Sequence, residues 1–552
     1  MTTDSAGSDR IAEAYREKLE HFETGSGLPV KGVYGPDDVE GLSYERDLND
    51  PGAYPYTRGI YPDMYRGRLW SRRQLCGFGS PSATNQRIKY LIGQGESAVN
   101  IAFDVPTNSG VDSDHPLARG DVGLQGMPVS ILPDMEEALA DIPLDKVSVN
   151  LSTIGATMIM AFYLVAARRR GFDFRQLRGT VLNDTLGDPF CGYKRSFVPT
   201  DLALKLAIDC VEYCVREVPK WNPLSVDGYN IRENGVTAPQ EIAFTFALGM
   251  AYLREGLDRG LDIEELAPRI TFTASVEMDF FEEVAKLRAA RRLWARIIHD
   301  EFGGRTQKAL QYKFHVHTAG SSLTRQQPLN NLIRVTIEAM AGVLGGTQSL
   351  HTCSYDENMG LPTEESVELA VRTQQIIAFE SRVCNVADPL AGSYFVEHLT
   401  DTMEGEIRKI LGEIEDLGGM VQALETGWAD AVIDGEVVKV QRQIESGERP
   451  VVGVNRDRTE RDDEQTVRIH EVPPAMVEGH IRRLGEYKQQ RDGPALEAAL
   501  AKLRADAEGR SINLFPAAMA AIELGATLGE LNGNVRLGFG YSYDDLSGDA
   551  AA

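Results

Sequence analysis

Apolar residues recur along this chain in two rhythms, short continuous runs and longer stretches at helical spacing, and from about Ala98 the two alternate. Strand-like runs fall at 98–103, 147–151, 179–182, 224–226, 269–273, 312–317 and 348–351, with a weaker one at 383–386. Between them the spacing predicts helices over 154–169, 202–217, 239–256, 278–302, 329–344 and 364–380. Strands separated by such helices run parallel, because a crossover returns each strand to the same sheet in the same direction. With the weak run they number eight, which fits an α/β fold of the (β/α)8 TIM barrel type; a doubly wound open sheet has the same alternation. No Gly-x-Gly-x-x-Gly marks the first strand-to-helix turn, which weakens the dinucleotide-binding form of that sheet.

The two ends read differently from the middle. Residues 8–22 fit one polar amphipathic helix, and 25–36 read as a Gly/Pro-containing linker that wraps the main domain or a partner. After about Leu399 charged helical sequence takes over, with helices expected at 402–417, 475–490 and 496–507, an exposed connection at 442–463 and a Gly/Asp/Ser-rich tail from about Leu531. The expected division is an N-terminal arm (1–53), a (β/α)8 barrel (54–399) and a helical C-terminal extension (400–552).

At 552 residues and 42% hydrophobic, core size is no limitation. Fifty-seven basic against 82 acidic residues give a net charge of -25, which disfavours nonspecific binding to nucleic acid or an anionic membrane. The longest mainly apolar run, 154–167, is too short to span a bilayer. The N-terminus carries Asp4, Asp9 and Arg10 where a secretory signal needs an apolar core, so a cytoplasmic protein is expected. Six irregularly spaced cysteines suggest reduced thiols.

Against the acidic background, Tyr61-Pro62-Asp63-Met64-Tyr65-Arg66-Gly67-Arg68-Leu69-Trp70-Ser71-Arg72-Arg73 is a basic island with interleaved aromatics. Arginine forks bind phosphate and aromatic faces stack on planar groups, so the island suits a phosphorylated, base-bearing ligand; a solvated face is the plainer alternative. Further on, the run 98–103 breaks into a loop containing Asp104-Val105-Pro106-Thr107 and Asp112-Ser113-Asp114-His115-Pro116. In a parallel barrel such a loop lies at the carboxyl end of its strand, where active sites are built.

Both stretches resemble the signature of the adenosylcobalamin-dependent acyl-CoA mutases, the family of methylmalonyl-CoA, isobutyryl-CoA and 2-hydroxyisobutyryl-CoA mutases. Further matches are Pro219-Lys220-Trp221-Asn222, Phe281-Glu282-Glu283-Val284-Ala285-Lys286-Leu287-Arg288-Ala289-Ala290-Arg291, Thr347-Gln348-Ser349-Leu350-His351-Thr352 and Gly453-Val454-Asn455. The resemblance covers most of the chain after about Tyr54 and favours the closed barrel. It implies an isomerase acting by radical rearrangement of an acyl-CoA, the cofactor supplying the radical and the protein supplying binding, orientation and exclusion of water. Substrate-binding roles are implied for Tyr61, Met64, Arg68, Ser71, Arg73, Thr180, Arg269 and Thr271, with Gln348 and Ser349 also against the acyl-CoA. Phe103, Val105 and Asn108, together with Glu233, Gly320 and Glu357, are implied to face the corrin. Single-chain members carry Asp-x-His-x-x-Gly, whose histidine coordinates cobalt. That motif is absent from this sequence, so a small cobalamin-binding subunit is the expected source of the ligand, in a hetero-oligomer built on a dimer of large subunits.

Departures from the family pattern bear on the substrate. Where methylmalonyl-CoA mutases use a tyrosine and an arginine for the substrate carboxylate, this chain has Leu75 and Gly192. A buried unpaired carboxylate costs roughly several kcal/mol, which argues against a dicarboxylic substrate. An aliphatic residue at the first position is similar to 2-hydroxyisobutyryl-CoA mutases, but their aspartate is replaced by Ala102, so a branched apolar acyl group is expected. The family histidine on the thioester carbonyl is replaced by Asn230 and a family glutamine by His317, which suggests that the donor has changed places and marks this pair as catalytic. His315 and His317 share one strand face, yet their motif offers no third ligand, so no metal is expected. Cys210 and Cys214 read as buried packing, and His351 as barrel wall. The alternatives are a non-catalytic acyl-CoA-binding or regulatory homologue, which Asn230 favours, and more distantly a metal-dependent lyase on the same barrel.

Overall fold

The computed structural model describes residues 22–153, 157–191, 198–459 and 471–544. The arm helix expected at 8–22 falls outside these residues except for Phe22, as does Gly192.

Ten strands pair in parallel: β1 (Ser71–Arg72), β2 (Leu75–Cys76), β3 (Ala98–Ala102), β4 (Ser148–Ser152), β5 (Gly179–Val181), β6 (Trp221–Asn222), β7 (Leu224–Asp227), β8 (Ile270–Val276), β9 (Phe314–Thr318) and β10 (Ser349–His351). They form two five-stranded sheets, ordered β1-β10-β9-β8-β7 and β2-β3-β4-β5-β6. Crossover helices Pro81–Gly93, Leu132–Ala138, Met158–Arg169, Thr200–Glu217, Ala238–Asp258, Phe280–Asp300 and Asn330–Leu344 link successive strands, and Glu364–Phe379 follows β10. Segment 71–76 gives one strand to each sheet, as does 221–227, where Pro223 interrupts the ladder. The Ser225 amide donates to the Leu182 carbonyl at 2.8 Å across the second junction. The architecture is therefore mixed α/β of barrel type.

All seven strong strand runs carry strands, with ends shifted by a few residues. The weak run at 383–386 does not: Val383–Asn385 is a single 3-10 turn, and the place left open is filled by 71–76. That segment, Ser-Arg-Arg-Gln-Leu-Cys, lacks an apolar run because Ser71 and Arg73 face a cavity instead of the core.

Helix Phe280–Asp300 carries the longest of the motifs. Its Glu282, Glu283, Lys286, Arg288, Arg291 and Arg292 are all buried. Lys286 binds Glu241 at 2.7 Å, Arg288 binds Glu397, and Arg291 donates to the carbonyls of Tyr56 and Thr57 at 3.0 and 2.8 Å. The motif is a clasp that ties the chain preceding β1 to the barrel helices. The described part of the 25–36 linker lies on the same helices: the Gly25 amide donates to Asp279 at 2.7 Å, and Tyr34 packs against Phe395 with ring centroids 4.9 Å apart.

After Glu364–Phe379 come helices Tyr394–Asp416, Met420–Glu425, Trp428–Ser446, Pro474–Gln489, Gly493–Glu508, Phe515–Glu523 and Leu528–Gly538. The three helices expected after Leu399 are among them. The connection expected at 442–463 begins inside Trp428–Ser446, and the supposed tail from Leu531 is instead a helix capped by Thr527, with Leu528, Leu531 and Val535 buried. These last helices hold the Asp112 loop: the Gly529 amide donates to Asp112 at 2.8 Å, and Lys488 binds Asp112 and Asp114 at 3.0 and 2.9 Å. Among the described residues no helix is long and apolar enough to cross a membrane.

Candidate functional site

Inward positions of a parallel barrel are ordinarily filled by Val, Ile and Leu. Here they are Asn150, Thr180, Asn222, Ser225, Thr271, Thr273, His315 and Ser349, and a cavity of about 560 Å³ runs between them from the amino ends of the strands. Small polar side chains cannot close the space, and their hydroxyls and amides can bind something passing through it.

Segment 61–73 forms the outer wall of this cavity. Two aromatics of the basic island are anchors: the Tyr65 hydroxyl donates to the Thr347 carbonyl at 2.8 Å and the Trp70 indole to Gln374 at 3.0 Å. Tyr61, 47% exposed, keeps a free ring at the mouth, and Met64 is buried behind it. Arg68, Ser71 and Arg73 line the cavity, but Arg66 does not and Arg72 turns away to the Gly95 carbonyl at 2.7 Å. Gln348 is fixed between the Phe314 amide (3.0 Å) and the Gly346 carbonyl (2.7 Å), and Ser349 contacts His315 Nδ1 at 2.7 Å. Arg269, just outside the lining, donates to the Trp221 carbonyl at 3.3 Å, and Thr271 to the Leu224 carbonyl at 3.2 Å.

Sequence reasoning missed Lys313, which also lines the cavity. Burial, with Arg269 and Lys308 nearby, pulls its ammonium down to about 8. Arg73 is depressed to about 10 by burial and by Arg68; its Nη2 reaches Ser148 at 3.1 Å, while its buried Nε has no partner. Among the described residues none of Arg68, Arg73, Arg269 or Lys313 has a carboxylate in ion-pair range, in a chain of net charge -25. The positive charge at this end of the cavity is therefore left without a contacting carboxylate among the described residues. Because Lys313 loses its proton as pH rises through about 8, affinity for a CoA ester should fall between pH 8 and 9.5, and Lys313→Met should flatten that slope in calorimetric titrations. An equal slope in the variant would remove Lys313 from the site.

At the carboxyl ends of the strands a second cavity, of about 310 Å³, is lined by Leu75, Ala102, His351 and Glu357 among others. Tyr229, His317 and His351 stack beside it, with ring centroids 3.9 Å apart for the first pair and 4.0 Å for the second. His351 Nδ1 accepts from the Leu75 amide at 3.1 Å, so in the neutral ring Nε2 carries the proton, which points at Glu357 across 3.5 Å. Burial raises the Glu357 carboxyl, but His351, His317 and the Ser354 amide outweigh it and hold it at about 2. Glu233 is pushed up to about 7, chiefly by burial, against bonds from the Ser321 amide (2.8 Å) and hydroxyl (3.1 Å). Gly320 lies against both: a Cβ there would sit 3.1 Å from Glu233 and 3.3 Å from the Tyr229 hydroxyl.

Asn230 is half-buried on the short helix Gly228–Glu233, and its Nδ2 donates to Asp227 at 2.5 Å. Asp227 caps that helix through the Tyr229 amide at 3.1 Å; burial and then Asp184 push its carboxyl up to about 7. In the loop after β3, Phe103 is packed in the core, Val105 is half-buried, and Asn108 donates to the Phe103 carbonyl at 2.8 Å while its buried Oδ1 has no partner. Donor atoms of His317, His351, Cys353 and Glu357 lie within 4.8 Å of one another. As a cation cage this set is poorly prepared, because His351 Nδ1 already accepts a backbone proton, and His317 Nδ1 (2.8 Å) and Cys353 Sγ (3.1 Å) both face the Thr318 carbonyl.

The fold and these two cavities define a barrel-type α/β protein with one cavity walled by small polar and cationic side chains and a second beside a buried carboxylate. The sequence profile of methylmalonyl-CoA mutase matches residues 23–541. The chain is 40% identical over 516 residues to the 2-hydroxyisobutanoyl-CoA mutase large subunit of Aquincola tertiaricarbonis, covering 93% of this chain and 91% of that one. It is 39% identical over 521 residues to the methylmalonyl-CoA mutase of Rhizobium meliloti (94% and 72% covered), and 38% over 521 residues to the human mitochondrial methylmalonyl-CoA mutase (94% and 68%). The chain belongs to the methylmalonyl-CoA mutase family.

Proposed function

We propose that this chain is the catalytic large subunit of an adenosylcobalamin-dependent acyl-CoA mutase that rearranges the carbon skeleton of a branched, non-carboxylated acyl-CoA. The observation that carries this reading is the set of cations without carboxylate partners at a cavity walled by small polar residues. Phosphates of CoA satisfy Arg68, Arg73 and Lys313, Tyr61 stacks on the base, and the pantetheine arm runs past Thr180, Thr271, Gln348 and Ser349. In this reading the two sheets close into a (β/α)8 barrel, supported by the two segments that each place a strand in both. Residues 1–53 are then its arm and 400–552 its extension.

At the other mouth the residues present fit a corrin with an adenosyl ligand. Glu233 and Glu357 accept amide and ribose hydrogen bonds, Gly320 leaves room where a Cβ would crowd Glu233, and the orphaned Asn108 Oδ1 needs a donor. Adenosylcobalamin, when bound, supplies the carbon radical. This chain orients the acyl group between Leu75 and Ala102 and keeps water away. Asn230 spends one N–H on Asp227 and offers the other to the thioester carbonyl. Neither wall residue pairs with a carboxylate, which disfavours a dicarboxylic acyl group. Relatives from Aquincola tertiaricarbonis and Streptomyces virginiae are named large subunits, which supports a small subunit that holds the cobalt and completes the enzyme, assembled on a dimer of large chains. The non-catalytic alternative is not favoured, since the relatives are named as mutases.

The test mixes the full chain with its small subunit and cofactor, adds a branched acyl-CoA and follows the cobalamin spectrum and the product masses. Substrate-triggered homolysis with isomerised product is expected; binding without either would leave only the non-catalytic alternative. Conversion of methylmalonyl-CoA would overturn the reading of Leu75 and Ala102.

A further inference from the structure

A third cavity, of about 640 Å³, is larger than either of the two described above. Barrel residues beyond the carboxyl ends of β7, β8 and β9 line part of it: Val236, Met278, Ser321, and Ile333 with Arg334 at the start of helix Asn330–Leu344. The rest of the lining comes from helix Trp428–Ser446 and from the segment after it, including Val454 of the Gly453-Val454-Asn455 motif.

Two features show that this surface is incomplete. Helix Trp428–Ser446 runs for 19 residues yet buries only Ala429, and its Val440 and Ile444, four apart and so on one face, line the cavity. Ile333, Val452 and Met278 elsewhere in the lining are 62, 43 and 38% exposed. A helix in a globular protein gains most of its stability by packing an apolar stripe, so this one has apolar surface left to cover.

The other feature is charge. Arg232 and Arg449 share Glu277 at 3.2 and 3.3 Å, and Lys439 faces Glu436 at 3.4 Å. Arg334 is buried and, among the described residues, has no carboxylate in ion-pair range. Glu338, one turn further along its helix, does not neutralise it, because burial pushes that carboxyl well above its ordinary range and keeps it protonated. Arg334 Nη1 donates to Thr324 and Asn331 at 2.9 and 2.8 Å, and Nη2 to the Val452 carbonyl at 2.8 Å. A guanidinium has five N–H bonds, so one proton on Nε and one on Nη2 remain without a protein partner among the described residues. Those two nitrogens form a fork that matches the two oxygens of a carboxylate. One uncompensated cation accommodates one negative charge; a second would lie unpaired against apolar walls.

We infer that this cavity is a binding site for a monocarboxylate with an apolar chain, its carboxylate paired with Arg334 and its chain lying between Met278, Ile333, Val440 and Ile444. A cavity of this size, mainly apolar with one convergent charged group, has the make-up of a small-molecule site. The inference does not depend on the mutase reading.

Decanoate and decan-1-ol, one chain with and without the charge, provide the test by calorimetric titration of the full chain. One decanoate per chain is expected, bound roughly tenfold or more tightly than the alcohol. Arg334→Gln removes the charge and should bring the two affinities within about twofold by weakening decanoate alone. Val440→Trp fills the cavity from the side of helix Trp428–Ser446 and should abolish binding of both, and circular dichroism checks that both variants fold. Coenzyme A in excess should not displace decanoate, since it belongs in the first cavity. Equal affinity for acid and alcohol would overturn the inference, as would decanoate binding that survives Val440→Trp or is displaced by coenzyme A. If neither compound binds, the inference falls while the mutase reading, tested by homolysis, stands.

Discussion

Arg73→Met should weaken CoA-ester binding by roughly 10- to 100-fold while leaving the fold as stable as before or slightly more so. The two signs have one cause. The Arg73 guanidinium is buried beside Arg68 with a single side-chain contact, to Ser148, and an unpartnered Nε, so the empty protein bears a desolvated charge that nothing neutralises. Losing it relieves the free state and removes the charge-assisted bonds of the bound state. Calorimetry with any acyl-CoA and a thermal melt of the same sample measure both. Arg66→Met is the control: it carries the same charge change in the same island but does not line the cavity, so affinity should move by about twofold at most. A destabilised Arg73 variant with full affinity would mean that the guanidinium serves the fold and not a ligand.

Much of this arrangement was legible because it is local. Helix and strand periodicities located seven strands and the helices between them, and the arginine-aromatic segment that stood out in the sequence lines a cavity. What escaped has physical reasons. The eighth strand segment was sought at 383–386 because 71–76 reads as polar, its Ser71 and Arg73 facing a cavity instead of a core. Lys313 hid at the edge of a strand, where a lone lysine reads as a solvated end. The Asp112 loop was read as part of the active-site stretch, yet its partners, Lys488 and Gly529, lie hundreds of residues away and hold it against the last helices. The His317 tautomer is set by the Thr318 carbonyl, a contact that no spacing rule reveals.

The buried motif on Phe280–Asp300 leads to the opposite prediction for an arginine. Arg288→Met should cost about 3–5 kcal/mol of stability, read as a large drop in thermal midpoint, because Arg288 is paired with two buried carboxylates where Arg73 has none. Its Nη2 binds both oxygens of Glu397 at 2.7 and 2.8 Å and its Nη1 binds Asp388, all inside the protein. Burial lowers its basicity, but Asp388 and Glu397 more than compensate and raise it. Removing the cation leaves Asp388 only its 3.5 Å contact to Arg58 and leaves Glu397 with no cation; Glu397 also accepts the Gly392 amide at 2.9 Å and so fixes the turn before helix Tyr394–Asp416. Adding Glu397→Gln to the Arg288 variant should recover part of the loss, since one of the stranded charges is then gone. A cost below about 1 kcal/mol, or no recovery in the double variant, would show that the pair is not coupled. Two arginines of one chain, both buried, thus differ in the sign of their contribution to stability according to whether their anion belongs to the protein or arrives with the ligand.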